Sequence, residues 1–243
     1  MAIIRLDKLL CDLGLGSRRE VRDWIRAGRV ALDGAAIRSP EQKLDPEKQS
    51  VSLDGKALRY QEHRYIMMDK PEGVITATED PGQKTVLDLL PPELRRLGLF
   101  PVGRLDKDTS GLLILTDDGD FSHRVTAPKS GVWKTYRAEV DGIPDADDEK
   151  AFAEGLVLGD GTHCLPARLS CGGGSVCTVT VQEGKYHQVK RMLASRGKPV
   201  LKLRRLSIGT LELDEGLGPG GFRELEQEEL CTVFLDRKPK TQA

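Results

Sequence analysis

The 243-residue chain has few of the features that accompany a metal site, a bound cofactor or a membrane segment. Its five cysteines are odd in number and never form a CxxC pair, which favours free thiols of a reducing compartment over a disulfide framework or a zinc site. The histidines (His63, His123, His163 and His187) are not spaced as ligands, and neither a GxxxxGK[ST] loop nor a GxGxxG motif after a strand is present. No segment approaches the roughly 18 apolar residues of a membrane span, and no charged-then-apolar leader opens the chain. We therefore expect a cytoplasmic protein without membrane contact.

Basic residues are unevenly distributed, although the net charge is only −1. Residues 1–60 contain 12 Lys and Arg against 9 Asp and Glu, and residues 184–206 contain eight basic residues and no acidic one. Such a patch is typical of phosphate binding, and Lys185 lies in it. The alternative is a solvated cationic face without a ligand.

The first 59 residues have the pattern of a small module with two helices and two hairpins. Leucines at positions 6, 9, 10 and 13 predict one helix, and Ser17 with Glu20 forms a capping box that opens a second, which Gly28 ends. Val30–Leu32 and Val51–Leu53 predict short strands, each followed by an Asp-Gly turn. Four arginines at near-helical spacing predict a basic side of the second helix that meets RNA phosphates, with solvated side chains as the alternative: Arg18, Arg22, Arg26 and Arg29.

The rest of the chain has the pattern of an α+β domain with a mixed, mainly antiparallel sheet and peripheral helices. Strands are predicted at 65–68, 74–76, 112–115, 134–140, 176–181 and 200–208, and helices at 120–125, 147–154 and 187–196, with short helical pieces over 86–97. We expect domains at 1–59 and 65–237, a polar linker at 60–64 and a disordered tail at 238–243.

Residues 100–120, FPVGRLDKDTSGLLILTDDGD, form the stretch around which the second domain is organised. Arg104 and Asp106 stand two residues apart, so an extended backbone would turn both to the same side. Thr109 to Gly111 supply turn chemistry before the buried strand. Three alternatives follow from the residue types: a loop that holds one reactive carboxylate, a plain turn with a surface ion pair, and a calcium loop. The calcium loop is disfavoured because its twelfth position holds Asp117 rather than a longer Glu.

Three motifs in this order resemble those of the pseudouridine synthases. GRLDKDTSGLLILTDDG (103–119) resembles the family's signature, and KTYRAEV (134–140) and EGKYHQVKRML (183–193) resemble its other two active-site motifs. The N-terminal module resembles the RNA-binding domain first recognised in ribosomal protein S4. The stretches TDDGDFSHRVTAP and KTYRAEV are similar to the small-subunit branch, the RsuA family, more than to the large-subunit branch.

The resemblance implies a role for each matching side chain. Asp106 corresponds to the catalytic carboxylate, and Lys190 to the basic residue that keeps it ionised, where several relatives carry Arg; Arg191 is the fallback for that contact. Tyr136 corresponds to the aromatic residue that stacks on a flipped uracil and assists removal of the C5 proton, although its alternating strand alone favours an ordinary core tyrosine. Arg104 corresponds to the residue that holds the phosphate of the flipped nucleotide or fills its vacated place, and Leu203 to part of the apolar pocket wall.

The implied reaction isomerises uridine in ribosomal RNA and needs no cofactor and no metal. The resemblance favours 16S rRNA at uridine 516, within a small-subunit assembly intermediate, and a monomeric enzyme. Alternatives are a 23S rRNA synthase of the same family and a non-catalytic RNA-binding assembly protein. A carboxylate glycosidase of free nucleosides is disfavoured, because a small neutral substrate needs no phosphate-binding module.

Overall fold

The structure, a computed structural model, describes residues 3–46, 48–58, 60, 62–127 and 129–236. Its contacts divide the chain into two units, Met1–Arg64 with Leu90–Leu99, and Tyr65–Leu89 with Phe100–Ala243. This division differs from the predicted boundaries at residues 90–99, for which the sequence predicts an uninterrupted second domain. The predicted tail at 238–243 lies outside the described residues.

The first unit is built from short elements around a leucine-rich core. Its helices are α1 (Leu6–Asp12), α2 (Arg18–Arg26) and α3 (Pro92–Arg95), and its strands are β1 (Ile4–Arg5), β2 (Val30–Leu32), β3 (Ala35–Ile37), β4 (Lys43–Leu44), β5 (Val51–Leu53) and β6 (Lys56–Leu58). Leu6, Leu9 and Leu10 of α1 pack with Val21 and Ile25 of α2, as their helical spacing predicts.

Local sequence signals set the ends of these elements. The Ser17 hydroxyl accepts a hydrogen bond from the Glu20 amide while the Glu20 carboxylate accepts one from the Ser17 amide, which confirms the predicted capping box. Antiparallel strands in the order β3-β2-β5-β6 form a sheet with two tight hairpins. Asp33 and Asp54 have φ values of 50° and 49°, and a glycine follows each. Asp-Gly tolerates these left-handed conformations, which explains both turns.

A nine-stranded sheet forms the centre of the second unit. Its strands are β7 (Tyr65–Lys70), β8 (Phe100–Pro101), β9 (Thr109–Thr116), β10 (Lys134–Val140), β11 (Arg168–Cys171), β12 (Val176–Val181), β13 (Val200–Ile208), β14 (Leu211–Glu212) and β15 (Phe222–Glu224). The order is β11-β12-β10-β13-β9-β7-β15, with β14 beside β13 and β8 beside β9. Within the described residues, all strand pairs of this sheet are antiparallel except β9 with β13, which confirms the mixed, mainly antiparallel sheet.

Helices flank this sheet and close two hydrophobic clusters. They are α4 (Gly119–Thr126), α5 (Ala146–Glu154), α6 (Gln188–Ser195) and α7 (Gln227–Thr232). Phe152 and Met192 belong to a cluster with the residues of β10 to β12, and Phe121 and Leu230 to a cluster with those of β7 and β9. Apart from the strand predicted at 74–76, the predicted helices and strands of this half are therefore present, with ends shifted by up to three residues.

Two predictions for the second unit are wrong. Thr109 to Gly111 belong to strand β9 rather than to a turn, because they pair with Leu203, Arg204 and Arg205 of β13. Val74 to Thr76 do not form a strand, since only a single bridge joins Ile75 to Thr85. The first error follows from reading local turn chemistry where a distant strand determines the conformation.

Gly111 allows the close approach of β9 and β13. Its φ is +105°, and a Cβ on it would lie 2.2 Å from the carbonyl oxygen of Arg205. We predict that Gly111→Ala lowers the free energy of unfolding by at least about 2 kcal/mol, since strain and overpacking each cost on the order of 1–3 kcal/mol. Urea denaturation measures the change. Gly119→Ala is the matched control because a Cβ there meets nothing within 4 Å, and equal stabilities of the two variants would contradict the prediction.

Candidate active site

The loop that carries Asp106 is fixed through its backbone. Leu105 is buried, and its amide and carbonyl both bond the hydroxyl of Thr76, at 3.2 and 2.7 Å. The ammonium of Lys70 donates to the carbonyl of Asp106 at 3.0 Å. Leu105 and its neighbours Arg104 and Asp106 all line the cavity described below. Arg104 and Asp106 thus reach the same cavity, but from a loop whose three successive residues line it rather than from an alternating strand.

Lys70 is the most deeply buried cation near Asp106. None of the three motifs includes it. Its side chain is fully buried, and its ammonium also donates to the carbonyls of Pro71 at 3.0 Å and Thr109 at 2.9 Å. Burial lowers the pKa of Lys70 to about 8, against the opposing effect of the negative charges of Asp106 and Asp108. Three bonds to carbonyls thus use all three N–H groups to join the end of β7 to the Asp106 loop.

A second lysine contacts the Asp106 side chain. Lys190, on α6, donates to Asp106 Oδ2 at 3.0 Å and to Asp108 Oδ1 at 2.6 Å. Burial alone would lower the pKa of Lys190, but the hydrogen bonds to Asp108 and Asp106 outweigh it, so the pKa is raised. Lys190 is therefore a fixed cation beside Asp106.

The histidine that precedes α6 faces the other oxygen of this carboxylate. His187 Nε2 lies 3.4 Å from Asp106 Oδ1. His187 has a left-handed backbone, with φ 48°, and its ring stacks on Tyr186 at a centroid distance of 3.8 Å. Tyr186 itself is 76% exposed. The motif resemblance implies no role for Tyr186 or His187, and the left-handed backbone of His187, a conformation that is enriched at functional sites, is visible only in the structure.

Asp106, Lys190 and His187 line a small cavity of about 80 Å³ together with Tyr136 and Leu203. Tyr136 extends from β10 and is partly exposed, while Leu203 on β13 is buried. The structure thus brings together the carboxylate, the cation, the aromatic ring and the apolar side chain that the motifs single out. Lys185 also lines this cavity, where it forms an ion pair with Glu183 at 2.8 Å and donates to the carbonyl of His163.

Arg191 does not join this group. Its guanidinium pairs with Asp160 at 2.5 Å and also donates to the carbonyl of Tyr186 at 3.4 Å. One helical position separates it from Lys190, so the two side chains leave α6 about 100° apart. Arg191 as the fallback partner of Asp106 is therefore wrong, and its assignment to substrate binding gains no support.

The predicted row of arginines on α2 is only partly present. The helix ends at Arg26, so Arg29 lies beyond it, where it pairs with Asp54 at 2.5 Å. Arg22 pairs with Asp7 at 3.2 Å and Arg26 with Asp23 at 3.7 Å, whereas Arg18 forms no ion pair within the described residues. A single row of four guanidiniums along α2 is therefore wrong.

Two absences hold for the described residues. No group of three or more His, Cys, Asp or Glu side chains there is arranged to hold a metal ion. None of the helices in the described ranges combines the length and the apolar character that crossing a membrane requires.

Comparison with known proteins agrees with this geometry. Residues 64–195 match the family model described as RNA pseudouridylate synthase, and residues 4–50 match the S4 domain. A solved pseudouridylate synthase is 34% identical, with a TM-score of 0.67, over 95% of this chain and 99% of that one. The chain therefore belongs to the RNA pseudouridine synthase family and is an enzyme of that class.

Relatives of similar length are found in several bacteria. An RNA pseudouridine synthase of Bacillus subtilis, described as uncharacterized, is 44% identical over 93% of this chain and 97% of its own length. The ribosomal small subunit pseudouridine synthases A of Vibrio cholerae and Escherichia coli are 42% and 41% identical, each over 95% of this chain and all of their own length.

The buried ammonium of Lys70 leads to a testable prediction. In Lys70→Met, the carbonyls of Pro71, Asp106 and Thr109 lose the ammonium as a donor, which we expect to lower the free energy of unfolding by on the order of 2–4 kcal/mol. Between pH 8 and its ordinary pKa of 10.5, Lys70 binds a proton in the unfolded chain but not in the folded one. Lys70 therefore makes the wild type more stable as the pH rises through this window, so the deficit of the variant should widen.

Denaturation of both proteins at pH 7 and pH 10 measures this difference. Lys150→Met, at an exposed position of α5, is the control and should change neither the stability nor its pH dependence. A stability deficit of Lys70→Met that becomes smaller as the pH rises would contradict the protonation states assigned to Lys70.

Proposed function

We propose that this protein isomerises a uridine of 16S ribosomal RNA to pseudouridine, with Asp106 as the catalytic carboxylate. The observation that carries the proposal is the position of that carboxylate. It lies at the wall of a small cavity, 3.0 Å from the ammonium of Lys190, with Tyr136 and Leu203 on the same cavity. A cavity of this kind suits one flat, uncharged ring that must be held next to a charged group.

The chemistry requires a carboxylate that remains ionised. The bond between uracil N1 and ribose C1′ breaks, the base turns, and a bond forms between C5 and C1′. Asp106 either attacks an electron-poor carbon of the sugar or adds to the base, as carboxylate nucleophiles do. The ammonium of Lys190 stabilises the negative charge in both cases and holds Oδ2 in a fixed place.

The reaction moves one proton without a net change in composition. C5 loses its proton after the new bond forms, and N1 gains a proton, so product and substrate are isomers and no cofactor takes part. Tyr136 supplies a stacking face for the base, worth about 1–3 kcal/mol, which offsets part of the cost of flipping it out of the RNA. Its hydroxyl is our candidate for accepting the C5 proton.

Phosphate contacts hold the RNA while the base is in the cavity. Arg104 is exposed at the cavity and forms no ion pair within the described residues, so its guanidinium is available for the phosphate of the flipped nucleotide or for the gap that the base leaves. Lys185 lies beside it. We assign residues 1–59 to RNA binding, residues 60–64 to the linker and residues 65–237 to catalysis; Arg18, Arg22, Arg26 and Arg29 are the candidate phosphate contacts of the first part.

The choice of 16S rRNA rests on the relatives. Small-subunit pseudouridine synthases A are about as long as this chain and 41–42% identical to it, and we extend their substrate to this protein. The candidate target is uridine 516, reached in a small-subunit assembly intermediate in the cytoplasm. We also propose that the enzyme acts as a monomer.

Replacement of the carboxylate tests the mechanism. Asp106→Asn keeps the shape of the side chain but removes its charge, so turnover on a 16S rRNA transcript should fall at least about 10³-fold, the scale seen for essential nucleophiles. The affinity for the same RNA should change less than about threefold, because phosphate contacts dominate it. Tritium release from C5 and filter binding measure the two quantities.

The neighbouring carboxylate gives a matched control for this experiment. Asp108 shares Lys190 with Asp106, but its side chain is 75% exposed where that of Asp106 is 30% exposed. Asp108→Asn should therefore keep turnover within about tenfold of the wild type. Equal losses in the two variants, or near-normal turnover of Asp106→Asn, would remove Asp106 from its assigned role.

A deletion strain identifies the substrate. We predict that mapping of pseudouridines by carbodiimide modification and reverse transcription finds one site missing from 16S rRNA, restored by the wild-type gene but not by the Asp106→Asn gene. A missing site in 23S rRNA instead would assign the protein to the large-subunit reaction. Unchanged modification throughout would favour a non-catalytic role in ribosome assembly.

A further inference from the structure

A second, larger cavity lies beside the catalytic one in the same unit. It has a volume of about 410 Å³, and its lining includes Arg104, Thr126, Lys134, Tyr136, Lys185 and Arg205. Three of these, Arg104, Tyr136 and Lys185, line the catalytic cavity as well. We call this second space the adjoining cavity. It has no role in the mechanism proposed for Asp106.

Cations outnumber acids in the adjoining cavity. Among the described residues that line it, four carry positive charge, Arg104, Lys134, Lys185 and Arg205, and one is acidic, Glu183. The Glu183 carboxylate already accepts hydrogen bonds from the Leu165 amide and the Gln188 side chain and pairs with Lys185. The remaining cations therefore have no carboxylate in the cavity to balance them.

The two buried cations of the adjoining cavity make few polar contacts. Lys134 is 9% exposed and donates to the carbonyl of Val132 at 3.0 Å; Arg205 is 2% exposed and donates through Nε to the carbonyl of Leu112 at 2.8 Å. Arg205 Nη2 has no hydrogen-bond partner, and neither side chain forms an ion pair within the described ranges. Burial, and to a smaller extent the charge of Arg205, lowers the pKa of Lys134 to about 8. Because buried charges in proteins are normally paired, this arrangement is suited to an anionic ligand.

Part of the lining is apolar. Val102, Val125 and Ile208 line the cavity together with the ring of Tyr136, and the volume is within the roughly 300–1,000 Å³ of sites for small organic ligands. An anion that also presents a flat or apolar part therefore fits better than a free inorganic ion. Among the components of an RNA strand, a whole nucleotide has this combination.

We propose that the adjoining cavity binds the nucleotide next to the target uridine, with its phosphate toward Lys134 and Arg205 and its base and sugar against the apolar wall. This inference rests on the proposed function. Since Arg104 and Tyr136 face both cavities, the two adjacent nucleotides occupy neighbouring sites, and the second site helps to hold the strand while the target base is out of its stack. The enzyme would then recognise the target uridine together with the adjacent nucleotide.

A substitution that fills the adjoining cavity tests this proposal without changing any of its charged residues. Thr126 is the last residue of α4, is exposed, and has its methyl group against Gly103 at the cavity wall. Thr126→Trp should raise KM and Kd for a hairpin transcript that contains the target about tenfold, with kcat within about twofold, because the indole would take the place of one bound nucleotide; a tenfold change in Kd corresponds to about 1.4 kcal/mol. His123→Trp, exposed on the same helix but outside the cavity lining, is the control and should match the wild type.

Charge removal gives a second readout that does not depend on turnover. Lys134→Met, once its fold is verified by circular dichroism, should reduce the slope of log Kd against log salt concentration by about 0.7–0.9, the value of one phosphate contact. Ethylation of single phosphates in the hairpin should weaken binding of the wild type at one phosphate adjacent to the target, and this effect should be lost in Thr126→Trp.

Three results would overturn the inference. The first is a Thr126→Trp enzyme with unchanged KM and Kd, and the second is one that loses kcat alone, since the cavity would then not be a binding site for RNA. The third is binding of inorganic phosphate or uridine 5′-monophosphate to the cavity without any effect of ethylated flanking phosphates, which would assign it to free ligands. Failure of the proposed function itself is separately visible, as absence of pseudouridine formation by the wild type.

Discussion

The parallel pairing of β9 with β13 is the constraint on which the rest of the site depends. Strands that run in the same direction have their beginnings at the same end of a sheet. The Asp106 loop comes before β9, and α6 with Lys190 comes before β13, so both reach that end together. Gly111 is part of this arrangement, because a side chain there would push against the backbone of Arg205 and separate the strands. The hydrogen bond between Lys190 and Asp106, which are 84 positions apart in the sequence, thus follows from the pairing of β9 with β13.

Two lysines hold Asp106 in different ways. Lys70 fixes the backbone through the Asp106 carbonyl, and Lys190 fixes the side chain through Oδ2. Removal of Lys70 from water is costly, as its lowered pKa records, but its ammonium is compensated by three hydrogen bonds to carbonyl oxygens. A reactive group must have both its backbone position and its side-chain orientation fixed, since small displacements reduce catalysis severely.

Sequence patterns predict the parts of this protein that local chemistry determines. The capping box of α2, the Asp-Gly hairpins and the alternation of β10 depend on residues within a few positions of one another. The turn predicted at Thr109 to Gly111 is wrong because the conformation of these residues is determined by pairing with β13, almost a hundred residues further along the chain.

The same limit applies to the site. Motif resemblance is sufficient to single out Asp106, Lys190 and Tyr136, which the structure brings to one cavity. It does not single out Lys70, two of whose partners lie more than thirty residues away at Asp106 and Thr109, or His187, which has a left-handed backbone beside Asp106. For Arg191, the sequence cannot separate adjacent basic residues of a helix; the direction in which each leaves α6 decides between them.

The two oxygens of Asp106 are not equivalent, and this bears on which of them reacts. Oδ2 accepts the hydrogen bond from Lys190, so part of its charge is already engaged. Oδ1 receives no hydrogen bond from the described residues and has the His187 ring at 3.4 Å. A lysine permits this asymmetry, because its ammonium contacts one oxygen of Asp106 and gives another N–H to Asp108, whereas the planar fork of an arginine would tend to engage both oxygens of one carboxylate. If Asp106 is the nucleophile, Oδ1 is therefore the oxygen that attacks, and His187 lies where it limits the direction of that attack.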